Sequence, residues 1–521
     1  MFKEATIASE EDIQDFKNKI FQILKQVNKP SRYIGQETGS IQKNWDDCDL
    51  KTCILFPDMY EVAVSNLGHR ILYHIINNQV NCLADRTYAP AIDFREKLKQ
   101  NNLSLYGVDY FKKLSDYDVI AVSLQYELSY PTLLEMLDMG GIKIKNSERD
   151  NNAPIIIAGG PGCYNPEPLT EFIDAFIIGD GEDILPEILE KITQDKKLSK
   201  SRENIIKNLA QIEGIYVPSL NNGHGEIKIK KRTSNLEIKN VPVNFPVPYS
   251  PSVHDRAVVE IRRGCGRMCR FCQACYVNLP VREQASEYVV KLVDNSLCNT
   301  GYEEYSLLSL SSNDYTDMEN LVKVLNNKHA RSGASISLPS QRADSFSLEL
   351  AQEVQKVRKS TLTFAPEAGS QRLRDVINKN LTQEQVFDAV ISAYKAGWHG
   401  VKLYFMIGLP TETFEDLDEI INLLTQLKYK ASGVKRELDL KKHLDLTCTV
   451  SIFVPKPFTP FQWFAQDSME LINEKITYLK QKARALKGVK LNFHDSFLCK
   501  LEAVFARGDS SLNKLIEAAW Q

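Results

Sequence analysis

Three cysteines in the segment RGCGRMCRFCQAC, Cys265, Cys269 and Cys272, form a C-x3-C-x2-C array with Phe271 just before the last of them. Three thiolates so close in the chain can hold a cubane [4Fe–4S] cluster by three of its four irons. The fourth iron is then free to bind and reduce a substrate or cofactor. A plain electron carrier would use four cysteines. Zinc is the alternative, but structural zinc sites take four N/S ligands, usually as two separated pairs. Cys275 extends the run to four, yet all four would share one tight loop with no second half-site. The spacing therefore points to a cluster with Cys265, Cys269 and Cys272 as ligands.

Other groups offer ligand chemistry. In SSNDYTD, Ser311, Ser312, Asn313 and Asp314 can hydrogen-bond the ammonium and carboxylate of an amino acid. SSND suits a helix N-cap equally well. SLPSQRADS presents Arg342, either a clamp for carboxylate or phosphate or half of a surface salt bridge. FAPEAGSQRLRDVINK places Glu367 just past an X-Pro turn. A carboxylate at a strand end can accept from both hydroxyls of a ribose; it can also cap the next helix. In FMIGLPTET, Gly408 and Pro410 shape a tight turn that lets backbone approach a ligand.

These groups need elements to hold them. A βα series starts at AVVEIRR and continues with EYSLLSLS, ASISLP, TLTFAP, GVKLYFMIG and LTCTVSIFVP, the first five each followed by a helical segment. Such a series predicts a barrel or partial barrel, whose chemistry gathers at the carboxyl ends of the strands. Upstream, TCILF, DVIAVSL, PIIIAGG and AFIIGDG alternate with NLGHRILYHIIN and GEDILPEILEKI. Near-continuous apolar strands between amphipathic helices predict a parallel sheet covered on both faces. The expected order is an N-terminal helical extension (1–49), a doubly wound, Rossmann-like α/β domain of five strands (50–195), a linker in which GIYVPSL and EIKIKKR form a small hairpin (196–250), the barrel (251–480) and a C-terminal tail (481–521).

At 521 residues the chain exceeds one ordinary domain. Its 43% apolar and 25% charged residues are those of a soluble globular protein. A net charge of −3 gives no global pull towards nucleic acid, and no apolar run reaches the ~20 residues that span a bilayer. The charged N-terminus, MFKEATIASEEDIQDFKNKI, reads as an amphipathic helix and not a signal peptide. Eleven cysteines, mostly single within apolar segments, suit a reducing cytoplasm, the expected location, with no membrane partner.

C-x3-C-x-F-C after a first strand, Glu367 in an E-x-G motif after the fourth and FMIGLPTET after the fifth resemble the radical S-adenosylmethionine (SAM) enzymes over residues 250–480. The resemblance implies a partial (β/α)6 barrel and a cluster whose open iron is chelated by the methionine amino and carboxylate groups. It implies Phe271 near the adenine, Glu367 on the ribose and the Gly408–Pro410 turn beside the adenine. Ser311 to Asn313 stand where the family has a Gly-Gly-Glu-like motif, which is not spelled out here. VSIFVPKPFTPFQW resembles the sixth-strand segment shared with radical methylthiotransferases and porphyrin-type oxidases.

FPDMYEVAVSNLGHRILYHIIN, VIAVSLQYELSYPTLLEMLDMGGI, IIIAGGPGCYNPEPL and FIIGDGE resemble the N-terminal domain of cobalamin-binding radical enzymes. More narrowly, the chain resembles an uncharacterised B12-binding radical SAM family that carries RGC-x-R-x-CRFCQA and LPSxRxDSFS. Ser123, Leu124, Gly159, Gly160 and Gly181 lie at strand ends of the first domain, where small residues let a flat macrocycle and its nucleotide tail approach. They are equally ordinary turn residues. The D-x-H-x-x-G motif that supplies a cobalt ligand in mutases is absent, and His69, in SNLGHR, reads as a helix-surface histidine. Cys275 stands where the family usually has glycine, and the chain stops at AAWQ where relatives continue.

The implied cofactors are a [4Fe–4S] cluster, SAM and cobalamin. The implied partners are an electron donor such as flavodoxin or ferredoxin and a substrate of unstated class. The implied reaction is reductive cleavage of SAM to a 5′-deoxyadenosyl radical, then methyl transfer to an unactivated carbon. Three alternatives stand beside it: a cobalamin-assisted cyclisation or rearrangement, an RNA-modifying enzyme that docks RNA on KYKASGVKRELDLKK and KITYLKQKARALKGVK, and a non-enzymatic sensor. Charge runs of that kind are usually solvated helix faces, and a sensor needs no SAM pocket.

Overall fold

In the computed structural model, which describes residues 10–220, 228–339, 341–355 and 362–521, the chain folds as two units. One comprises 1–255 with 508–521, the other 256–507. In the first, β1 (Leu50–Phe56), β2 (Cys82–Tyr88), β3 (Val119–Ser123), β4 (Ile155–Gly159), β5 (Ala175–Ile177) and β6 (Ile215–Tyr216) form one sheet in the order β2-β1-β3-β4-β5-β6. The first five pair in parallel. β1, β3 and β4 are buried along nearly their whole length, as strands covered on both faces must be. Ile76, Ile184, Ile188 and Ile192, on helices Leu67–Asn78 and Gly181–Lys197, share one core with Ile54, Val119 and Ile157. Strand order reverses between β1 and β3, so the crevice that such sheets offer a ligand opens at the carboxyl ends there.

Two features differ from the sequence reading. β2, CLADRTY, offers no apolar run, yet all seven residues are buried. Its charges are matched from distant segments. The Arg86 guanidinium donates to Glu37 Oε2 (2.6 Å) and to both carboxylate oxygens of Asp109 (2.7 and 3.0 Å). Asp85 accepts from the amides of Asp109 and Tyr110 and from the Tyr117 hydroxyl. Next, the expected hairpin is not formed by GIYVPSL. Ile215–Tyr216 instead pairs antiparallel with β5 as a sixth strand, closing that sheet edge. Arg232 forms a parallel bridge with Gly179; residues 221–227 of the expected hairpin lie outside the described residues, as do residues 1–9. The N-terminal helix Glu10–Leu24 buries Ile20, Ile23 and Leu24 and sets Phe16 and Phe21 against Tyr106 and Phe111. Among the described residues no helix is long and apolar enough to cross a membrane.

The second unit carries β7 (Ala257–Glu260), β8 (Arg262–Arg263), β9 (Arg282–Glu283), β10 (Glu304–Leu308), β11 (Ser335–Ser337), β12 (Leu362–Glu367), β13 (Gly400–Ile407), β14 (Asp445–Ile452) and β15 (Val489–Phe493). Two parallel sheets, β11-β10-β7 and β12-β13-β14-β15, contain all six expected barrel strands. Ser340 and Thr361, in two of the motif segments, lie outside the described residues. β15 is a seventh strand in what reads as tail sequence. VKLNF alternates apolar residues with Lys and Asn, which suits an edge strand with one apolar face and shows no continuous apolar run. Residues 508–521 belong to the first unit. β8 and β9 pair antiparallel and close the base of the cysteine loop.

One irregularity serves the site. β12 pairs with β13 in register to Phe364, then slips before Glu367. Pro366 has no N–H to give the ladder. The bulge leaves Glu367 in the left-handed region, at φ 67°, and re-aims its side chain off the sheet.

Candidate active site at the strand ends

The cysteine loop leaves β7 and β8 through Gly264, at φ +86°, where a Cβ would meet the Asn278 carbonyl at 2.6 Å. Only glycine closes the loop so tightly. Within it, Cys272 N donates to Cys269 O (3.1 Å) and Cys275 N to Cys272 O (3.2 Å). The loop is also pinned from outside. Asn378 Nδ2 donates to Met268 O (2.9 Å), Arg270 N to Ile377 O (3.0 Å) and Phe461 N to Arg270 O (3.2 Å). Cys265, Cys269 and Cys275 are buried and Cys272 is half-buried.

The Cys275 thiol lies within hydrogen-bonding reach of the sulfurs of Cys265, Cys269 and Cys272. That contact, against opposing burial, pulls Cys265 down to about 6 and Cys269 to about 7, and lowers Cys272 too. The same contacts push Cys275 up. Among the described residues no group of three or more His, Cys, Asp or Glu side chains is placed to hold a metal ion as it stands. Three lowered thiols on one loop are donors of the kind a cubane takes, and the choice of a cubane over zinc rests on their spacing in the chain.

The expected ligand groups meet the loop through one chain of contacts. Arg267, from the loop, pairs with Asp314 and reaches Asp344 (3.3 Å). Asp344 is held by Arg342 Nε and Nη2 (2.9 and 3.0 Å). Asn313 Oδ1 accepts from Arg342 N (3.1 Å), and its Nδ2 donates to Ser345 O. Arg342 Nη2 donates to Lys379 O (3.1 Å), and Lys379 Nζ to Glu367 Oε1 (3.1 Å). Ser311 and Ser312 are buried beside them.

Neither Ser311 nor Glu367 caps a helix here: Ser311 makes no capping bond, and the helix after Glu367 is capped by Ser370. The pair of Arg342 with Asp344 is largely buried and not a surface bridge. Burial opposes ionisation of Asp314, but the Arg267 hydrogen bond and charge outweigh it and hold the carboxyl at about 2.

Gly408 has φ +74°, and its N–H donates to Glu412 Oε1 (2.8 Å). Lys475 bridges Glu412 (2.8 Å) and Asp467 (2.7 Å), fixing the turn that contains Pro410. Phe271 packs on the apolar cluster that contains Leu409, so the aromatic of the cysteine loop and the β13 turn share one patch. Met268, Glu367, Thr411 and Phe458 are all left-handed non-glycine residues at this end of the strands. Such strain persists where surrounding contacts hold it, and it concentrates at functional sites. Sequence reasoning missed Arg267, Asp344, Lys379, Lys475 and Asp467. Arg267, Asp344, Lys379 and Glu412 all lie inside the motifs noted above, RGCGRMCRFCQAC, SLPSQRADS, FAPEAGSQRLRDVINK and FMIGLPTET.

In the first unit Leu124 N donates to Gly159 O (2.8 Å), bringing together Ser123, Leu124, Gly159 and Gly160 at the ends of β3 and β4. Gly160, at φ +110°, lies so close to Leu124 O that a Cβ would sit 2.5 Å from it; beside Gly159 there is room. Gly181 begins the helix after β5, and its own packing on Leu72 is close. His69 is not on the helix surface as its local sequence suggests. It is 2% exposed and stands edge-on to Phe56, beside Tyr88. Neither ring nitrogen has a hydrogen-bond partner. Burial, then the charges of Arg86 and Arg70, pull it down to about 3, so the ring is neutral.

Residues 68–218 match the family model described as radical SAM proteins, N-terminal, and residues 259–424 match the radical SAM superfamily model. An uncharacterized protein of Methanocaldococcus jannaschii is 29% identical over 470 residues, 89% of this chain and 90% of that one. A tRNA-2-methylthio-N(6)-dimethylallyladenosine synthase of Petrotoga mobilis is 24% identical over 45% of this chain and 56% of its own. An uncharacterized methyltransferase of Pyrococcus horikoshii is 27% identical over 54% of this chain and 60% of its own. The chain thus spans little more than half of these last two relatives. Among solved structures, the radical S-adenosylmethionine methyltransferase TsrM of Kitasatospora setae, with cobalamin and a [4Fe–4S] cluster bound, aligns at a TM-score of 0.59. It is 13% identical, over 90% of this chain and 99% of that one. The cobalamin-dependent S-adenosylmethionine radical enzyme OxsB aligns at 0.52 with 15% identity, over 83% of this chain and 56% of its own. At such identities these likenesses establish the fold alone: an N-terminal Rossmann-like α/β domain and a partial (β/α) barrel.

Proposed function

The chain carries a radical SAM domain, and from that premise we propose that it is a cobalamin-dependent radical SAM methyltransferase acting on an unactivated carbon. Cys265, Cys269 and Cys272 would hold a [4Fe–4S] cluster that would supply the electron for reductive cleavage of SAM, and the ends of β3 and β4 would hold cobalamin as the methyl carrier. An electron donor such as flavodoxin or ferredoxin feeds the first step.

The chain's own residues bind, orient and exclude water. Arg342 faces the methionine carboxylate, with Ser311, Ser312 and Asn313 as hydrogen-bonding neighbours. Glu367 accepts from the ribose hydroxyls. Phe271 and the Gly408–Pro410 turn flank the adenine. Burial of Cys265 and Cys269 keeps water from the reacting centre.

The observation that carries this reading is the unbroken run of contacts from Arg267 in the cysteine loop through Asp344, Arg342 and Lys379 to Glu367. The likeness to TsrM and OxsB supports the cobalamin half. The test is anaerobic reconstitution with iron, sulfide and cobalamin, followed by reduction in the presence of SAM. We expect both 5′-deoxyadenosine and S-adenosylhomocysteine. 5′-Deoxyadenosine alone would favour cyclisation or rearrangement, and neither product would refute the proposal.

A further inference from the structure

We propose that the inner face of β13, β14 and β15 is the substrate site, built for a polar small molecule whose anionic end, carboxylate or phosphate, is held by Lys402 and Lys490. The proposal rests on the radical SAM reading above and names a substrate class for it.

Alternate residues of a strand face opposite sides of its sheet. Leu403 and Phe405 of β13 and Cys448 and Val450 of β14 are buried in one core with Leu424 and Leu479, on the covering helices Phe414–Glu437 and Met469–Ala483. The face away from those helices is the inside of the barrel. Barrel interiors are ordinarily filled by bulky apolar side chains. Here Tyr404, in the middle of β13, is 41% exposed. Lys402 on the same strand and Lys490 of β15 are exposed as well. A polar inner wall that solvent reaches offers room for a ligand where a packed core would not.

The register sets these side chains in rows. Lys402 stands opposite Thr447, and Thr447 opposite Lys490. One row nearer the carboxyl ends, Tyr404, Thr449 and Asn492 line up in the same way. The next residue of β13 on this face, Met406, packs on the apolar cluster that Phe271 of the cysteine loop also joins. The wall therefore runs from the cysteine loop down to the two lysines. At ~3.3 Å per residue, Met406 and Lys402 lie ~13 Å apart along the strand. With ~4.8 Å between strands, the two lysines are ~10 Å apart, and their flexible stems let both ammoniums close on one anion. Among the described residues neither lysine has an ion-pair partner. Asp445, at the foot of this face, stands by Lys428. The hydroxyls of Tyr404 and Thr449 and the amide of Asn492 both donate and accept, which suits hydroxyl or amide groups in the middle of the molecule. Its far end then lies at the cysteine loop.

The test uses the full chain, reconstituted anaerobically with iron and sulfide and supplied with SAM. Acetic anhydride labels exposed lysines, and peptide mass spectrometry reads each one alone and with glycerol 3-phosphate, glycerate or bulk tRNA. We expect a small anion to protect Lys402 and Lys490 while Lys514, exposed on the helix Leu512–Trp520, stays as reactive as before. Protection by glycerol 3-phosphate alone assigns a phosphate, by glycerate alone a carboxylate, and by both the shared anionic chemistry. Calorimetry should then show the protecting anion bound about tenfold more weakly by Lys402→Gln and by Lys490→Gln. Lysines protected by neither small anion, or by tRNA only, would overturn the assignment, as would unchanged affinity in both variants. The same samples are then reduced and assayed for 5′-deoxyadenosine. Its absence refutes the radical SAM reading; its presence with both lysines unprotected refutes this inference alone.

Discussion

Two ionic networks, one in each unit, use the same side chains for different ends. In the first unit Arg86, with Glu37 and Asp109, is sealed: its side chain is 2% exposed. In the second, Arg267, Asp314, Asp344 and Arg342 form a comparable web at the strand ends, but Arg267 is 31% exposed. A sealed network cannot exchange partners without stranding a charge in apolar surroundings, so it fixes the scaffold. A half-open one can re-pair with an incoming carboxylate. Burial, not charge count, separates a structural ion cluster from a binding one.

That contrast can be broken most forcefully at Arg86. Arg86→Leu leaves Glu37 and Asp109 buried without their cation, and urea unfolding should show a loss of about 3–5 kcal/mol. A loss below about 1 kcal/mol would mean that the cluster is not sealed.

His69 sharpens the comparison, because it is buried within reach of the Arg86 charge. Its folded value, about 3, lies below the usual 6.5. The unfolded chain therefore binds a proton that the folded chain refuses, and stability present above pH 6.5 is lost as pH falls towards 3. Between pH 7 and 5 the wild type should lose about 2 kcal/mol more than His69→Phe. Parallel pH profiles would contradict a neutral, buried ring.

The smallest effect on folding belongs to the open network. Asp314→Asn should lower the unfolding free energy by about 1–2 kcal/mol, less than Arg86→Leu, because the half-exposed Arg267 can turn to water. It should raise the KM for SAM about tenfold or more in the 5′-deoxyadenosine assay, since Arg267 would lose a charge-assisted partner. A variant with unaltered KM would assign Asp314 to the scaffold.

The placement of the candidate site's residues is largely legible from local sequence. The cysteine spacing, Arg342, Glu367 and the Gly408–Pro410 turn each sit where a strand ends, and the apolar period of the strands places those ends. β2 and β15 escape that reading for one reason: both mix charged or polar residues into a strand. β2 is buried only because Glu37 and Asp109 arrive from elsewhere to meet Arg86. β15 lies at a sheet edge with one face to pack. Arg267, Lys379 and Lys475 escape because a single cation in a helix or loop looks like any solvated one until its partner is known.

By itself the sequence determined what is local: which residues can ligate metal, how far apart they lie in the chain, and where strands and helices alternate. Only the tertiary structure decided which charges are partners and that His69 is inside. Coulomb energy and desolvation depend on distance through space and on access to water. Folding sets both between residues as remote in sequence as Arg267 and Asp344.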